Sequence, residues 1–98
     1  MALAGGGILT REEQLLLIRR DGPLAINRVT AMLGTYRNDI LTMSASRLDA
    51  GYHVYGTESW RKTPYELVQD TLEELADAVN YQVMAAHRRR HPDYWDAA

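Results

Sequence analysis

The segment from Thr63 to Arg90 allows one structural reading and limits what the rest of the chain can fold into. Thr63 is suited to cap a helix, and Pro64 to occupy its first position, where no amide hydrogen bond is lost. Glu66 stands three residues after the cap, the spacing of a capping box. At the other end Arg88, Arg89 and Arg90 complement the negative pole of the helix dipole, and His91-Pro92 discourages continuation. A turn of about 100° per residue places Val68, Leu72, Leu75, Ala76, Val79, Val83 and Ala86 on one side, with Glu66, Asp70, Glu73 and Asp77 opposite. The apolar stripe needs a partner, so Val68, Leu72, Leu75, Val79 and Val83 are expected to be buried.

Residues 1–9 contain Gly5-Gly6-Gly7 and are expected to be flexible, leaving 10–98 as a single helical domain. Thr10-Arg11-Glu12-Glu13 forms a second capping box. The helix it opens carries Leu15, Leu16, Leu17 and Ile18 and is expected to stop near Asp21-Gly22-Pro23. Four consecutive apolar residues cover more than one face, which implies burial on two sides or a subunit contact. A short second helix is expected from Leu24 to Gly34, with Gly34 at a left-handed terminating position. After a connection at Thr35-Tyr36-Arg37, Asn38 or Asp39 can cap a third helix. Ser44, Leu48, Tyr52 and Tyr55 keep one face of it through Gly51, which favours Gly56 as its terminator over a short strand from Tyr52 to Tyr55. Thr57 to Lys62 is a loop, and the aromatic tail around Tyr94-Trp95 can dock locally or on a neighbour. The expected fold is all-α, with about four helices, the last two a long antiparallel pair joined by the short Thr57–Lys62 link.

Composition narrows the function classes. The net charge of −2 argues against non-specific nucleic-acid or anionic-membrane binding. No cysteine is present, which excludes disulfides and thiolate metal sites and suits a reducing cytoplasm. No apolar run approaches the roughly 20 residues of a membrane span, and Met1 to Ile8 has no basic region of the signal-peptide kind. A cytoplasmic location is therefore expected. At this length, homo-oligomerisation would help to stabilise the fold.

Three residue sets could carry chemistry. Trp60, Arg61 and Lys62 precede a helix N-terminus, with Tyr52, His53 and Tyr55 one helix end away. Free amides, two cations and stacking rings together suit a nucleotide-like anion. Their bland counterpart is an aromatic packing cluster where two helices meet. The carboxylates of the long helix form a linear array of hard oxygen donors suited to Mg²⁺, with a solvated acidic face as the simpler account. His53, His87 and His91 lack metal-ligand spacing and are expected to be structural or solvent-exposed. Arg88-Arg89-Arg90, besides complementing the dipole, could form an anion site when several subunits meet.

Glu73-Glu74-Leu75-Ala76-Asp77 resembles the second half of the metal motif of MazG-like nucleoside triphosphate pyrophosphohydrolases, an all-helical family. The resemblance implies a Mg²⁺ cofactor held by Glu73, Glu74 and Asp77. The family's first half, Glu-Glu-x-x-Glu on the preceding helix, has no counterpart here. From Ser46 to Arg88, the run R-L-D-A-G-Y-H-V-Y-G, a Trp, a Pro-led helix start and E-E-L-A-D-A-V-N-Y look like small helical bacteriophage proteins. That resemblance implies a phage origin, action in the host cytoplasm and, by analogy, non-catalytic capture of a nucleotide signal of host immunity. The segment G-P-L-A-I-N-R-V-T-A-M-L-G, with R-L-D-A-G-Y beyond it, is similar to a helix-turn-helix DNA-binding module. That would make Asn38 to Ser46 a recognition helix offering Arg37, Asn38, Thr42, Ser44 and Ser46. Few of these are the Arg, Lys or Gln of a strong reader, so a nucleotide-like small molecule is the expected partner ahead of nucleic acid.

Overall fold

The computed structural model describes residues 9–96. Among them are four α-helices and no strand: α1 (Arg11–Thr35), α2 (Arg37–Tyr55), α3 (Pro64–Arg90) and α4 (Pro92–Asp96), with a 3-10 turn at Ser59–Arg61. Both expected capping boxes form. The amide of Glu13 donates to Thr10 Oγ1 at 3.1 Å and that of Thr10 to Glu13 Oε1 at 3.0 Å. At the start of α3, Glu66 N donates to Thr63 Oγ1 at 3.2 Å and Thr63 N to Glu66 Oε1 at 3.3 Å. The expected mobility of residues 1–8 lies outside the described residues. Leu9, placed in that segment by the sequence reading, is buried, and its carbonyl accepts from Gln14 Nε2 at 3.0 Å.

The two short helices expected before Thr35 are one. Helix α1 runs for 25 residues straight through Asp21-Gly22-Pro23, and Gly34 lies inside it rather than at a left-handed end. Pro23 forfeits one backbone hydrogen bond and its ring crowds the preceding turn. Tertiary packing overrides that local signal at this point. Gly22 and Ala25 are the buried residues of α1, and Val83, Ala86 and His87 those of α3. A Cβ at Gly22 would meet open space, so the position does not depend on a small residue, but ending the helix there would forfeit the burial of Ala25.

Tyr36 alone joins α1 to α2. Its amide donates to Met32 O and its carbonyl accepts from Ile40 N, both at 2.8 Å, so one residue serves as the end of one helix and the start of the next. Neither Asn38 nor Asp39 caps α2. Gly56 ends α2 as expected, at φ 58 and ψ −122, a region open essentially to glycine. Helix α2 passes through Gly51 without forming the alternative strand.

The long antiparallel pair is α1 with α3, a correction to the expected pairing of the last two long helices. Ile26, Val29 and Leu33 lie across from Leu72, Leu75 and Val79, while Leu15 and Ile18 lie across from Val83 and His87. Once α1 is continuous, it nearly matches the 27 residues of α3 and offers a complementary stripe along most of it. Helix α2 leaves at the Tyr36 junction and buries none of its residues.

The stripe of α3 is therefore only partly covered. Val83 and Ala86 are buried and Val79 half-buried, but Val68, Leu72 and Leu75 are exposed, against expectation, because no element among the described residues covers that half. The accessible surface of 8199 Å² exceeds the roughly 5,700 Å² of a compact monomer of this mass. The radius of gyration, 17.3 Å, likewise exceeds the roughly 13 Å of a compact domain of this length.

Candidate functional site

A concave site lies between the first half of α1, the last half of α3, and α4. The α3 helix stops at Arg90, His91 takes a non-helical φ of −133, and Pro92 opens α4, which folds back so that Tyr94 and Trp95 reach His87. Trp95 Nε1 donates to His87 Nδ1 at 3.0 Å. The Trp95 and His87 rings meet edge to face at 5.8 Å between centroids, and Tyr94 stands perpendicular to Trp95 at 4.7 Å. His91 adds a tilted contact on His87 at 4.6 Å. The docking of the aromatic tail, left open between local and neighbouring sites by the sequence, is local.

The cavity in front of this cluster measures about 430 Å³, within the range of small-molecule sites. Its walls are mainly apolar, from Leu15, Ile18, Val83 and Met84, with Gln14, Asn80, His87 and Arg88 as its main polar groups. His87 is 4% exposed. Burial lowers its pKa, and the positive groups His91, Arg90 and Arg20 lower it further, with Asp21 opposing them. The neutral ring is also what the geometry needs, since Nδ1 accepts from the indole and a protonated Nδ1 would oppose a second donor. Tyr94 Oη is buried and has no hydrogen-bond partner among the described residues.

Beside the cavity, Asp21 ties the helices together. It takes both Arg20 Nε at 3.0 Å and Arg20 Nη2 at 3.1 Å, and Arg90 Nη2 at 3.0 Å from the end of α3. The hydrogen bond from Arg20 is the main cause holding the Asp21 carboxyl below its usual range; burial opposes it, and the Arg90 bond adds to it. Of the three arginines expected at this end, Arg90 is thus committed to an interhelical ion pair and Arg88 lines the cavity.

The nucleotide site expected from sequence is only partly assembled. Tyr52, Tyr55 and Trp60 do share one groove, together with Arg47, Ser44 and Ser59, but His53, Arg61 and Lys62 do not line it. Lys62 Nζ lies 2.6 Å from Asp70 Oδ2, an ion pair that raises the lysine pKa. The α3 N-terminus is occupied from within: the Glu66 amide binds Thr63 Oγ1, the Leu67 amide binds Thr63 O, and the Glu66 carboxylate adds negative charge where an anion would sit. The same capping box that identifies this helix start in sequence blocks it as a phosphate cradle.

Glu73, Glu74 and Asp77 gain no metal-site geometry, since no cluster of three or more His, Cys, Asp or Glu suited to a metal ion occurs among the described residues. The helix-turn-helix geometry, two helices joined by a three- or four-residue turn, is not formed between Leu15 and Tyr52, where α1 is unbroken and a single residue leads into α2. No helix of the described residues is long and apolar enough to cross a membrane.

Nothing in the sequence pattern groups Gln14, Asn80, His87, Arg88 and Trp95. Arg88 and Trp95 stand out separately, in the basic helix end and the aromatic tail, and His87 is a titratable residue on the apolar side of α3 four positions after Val83. Comparison with protein-family models, with curated proteins and with solved structures gives no match to this chain.

Proposed function

We propose that this chain is a non-catalytic, homo-oligomeric binding protein that holds a nucleotide-like ligand, a planar ring bearing an anionic group, in the cavity between α1, α3 and α4. The observation that carries the reading is the composition of that cavity: apolar walls with two amides, a buried imidazole and a guanidinium around one space. The amides of Gln14 and Asn80 suit the edge of a heterocycle, Met84 and the aliphatic walls suit its faces, and Arg88 suits an anionic substituent. The described lining residues suit holding a ligand by shape, amides and charge, and capture is the reading they support. The reading keeps the expectation drawn from the phage resemblance, withdrawal of a nucleotide signal, and moves its site from the start of α3 to the end.

The test is thermal denaturation with a panel of linear and cyclic adenine and guanine nucleotides. A ligand present at about 100 times its Kd stabilises the fold by about 2.7 kcal/mol. That gain should vanish in Asn80→Ala and in Met84→Trp, which fills the cavity from a position half open to solvent. Unchanged melting across the whole panel refutes the reading.

A further inference from the structure

Helix α2 carries an apolar ridge that nothing among the described residues covers. Ile40, Leu48 and Tyr55 fall within about 80° of one another on α2 at about 100° per residue, with Met43 and Tyr52 flanking them on either side, and Leu48 remains 58% exposed. The same chain presents a groove of about 330 Å³ between α1 and α3, lined by Ile26, Val29, Leu33, Leu72, Leu75 and Val79. Its α3 wall is the half of the stripe that the fold leaves uncovered, with Leu72 54% exposed.

We infer that α2 docks its ridge into the α1–α3 groove of a second copy, and that the second copy returns its own α2 to the first, forming a closed two-fold dimer. This inference deepens the homo-oligomeric part of the proposed function and rests on it.

Three observations select a second copy as the occupant. Ridge and groove are both apolar, and both belong to this sequence, so one reciprocal contact covers both. The single-residue junction at Tyr36 sends α2 away from its own groove, leaving the ridge without buried residues. Finally, the area suffices. The surface of 8199 Å² exceeds that of a compact monomer by roughly 2,500 Å², whereas a standard interface takes about 800 Å² from each partner. A reciprocal contact engages two such surfaces per chain and stays within the excess.

The absence of cysteine makes the test direct. Chains carrying one cysteine at Ser44, Leu48 or Tyr52 are mixed under mild oxidation with chains carrying one at Leu72, Leu75 or Val79. The mixed pairs should form disulfides between α2 and α3 sites, and Ser44→Cys, Leu48→Cys or Tyr52→Cys chains alone should not. Native mass measures assembly separately. The wild type should have twice the chain mass of 11.1 kDa, and Leu48→Glu should fall to the chain mass with its helical circular dichroism retained. Disulfides joining α2 to α2, or none between α2 and the groove, overturn this docking mode while leaving a dimer possible. A wild type that remains at the chain mass up to about 200 µM overturns the homo-oligomeric reading itself. A dimer whose mass survives Leu48→Glu also overturns the mode, because the ridge would then lie outside the interface.

Discussion

Trp95→Phe isolates the hydrogen bond that pins α4 to α3. It keeps an aromatic ring and removes the indole donor, leaving His87 Nδ1 without its partner at 3.0 Å in a side chain only 4% exposed. A buried acceptor left alone costs about 1–3 kcal/mol. In a domain of this size each kcal/mol lowers the melting temperature by about 4–8 °C, so a loss near the middle of the range corresponds to roughly 8–16 °C. Circular dichroism melts at about pH 7.5 measure it, at one protein concentration because assembly makes melting concentration-dependent. His87→Leu combined with Trp95→Phe replaces both polar partners with apolar ones and should recover most of the loss.

The pH dependence gives an independent reading of the same contact. The His87 pKa is lowered by burial and by His91, Arg90 and Arg20, with Asp21 opposing; the Tyr94 ring stands edge-on to it. A depressed folded pKa means that the unfolded chain takes up the proton first. The stabilisation is complete above the unfolded value of about 6.5 and is lost as pH falls from there through the folded pKa. His87→Leu should therefore lose less stability than the wild type between about pH 7.5 and 5.5. The reasoning is refuted if Trp95→Phe melts within about 2 °C of the wild type at the higher pH, or if the double variant is less stable than Trp95→Phe alone.

Two further substitutions probe how the helices end and bend. Gly56→Ala forces a side chain onto φ 58 and ψ −122 and should cost about 1–3 kcal/mol in chemical denaturation; a neutral result would mean that the chain leaves α2 by another turn. Pro23→Ala should stabilise the fold, by up to about 3 kcal/mol, because the exposed proline can be replaced by a residue whose amide completes the α1 ladder; a lower denaturation midpoint would show that the ring itself contributes to packing.

The sequence by itself determined the features that close within a few residues. Both capping boxes, the Pro-led start of α3, its end before His91-Pro92 and the glycine that stops α2 are local hydrogen-bonding and backbone-angle problems, and each was legible in a short window. So were the all-α class and the division of α3 into apolar and acidic faces. Whether Asp21-Gly22-Pro23 breaks a helix was settled by tertiary packing, because α1 gains its cover from α3, a segment distant in sequence, only if it runs on through these residues. Tertiary packing also decided that α3 pairs with α1, which follows once α1 is long enough to present a matching stripe. The candidate site was least legible for the same reason. His87 could be read as an isolated residue on an apolar face, but Gln14, Asn80 and Trp95 become its neighbours only when α1 and α4 pack on α3. The site expected beside Lys62 was legible as residue types, yet Asp70 and the Glu66 cap neutralise it in three dimensions. Apolar spacing states that a face needs cover; it does not name what covers it, and for Val68, Leu72 and Leu75 nothing among the described residues does.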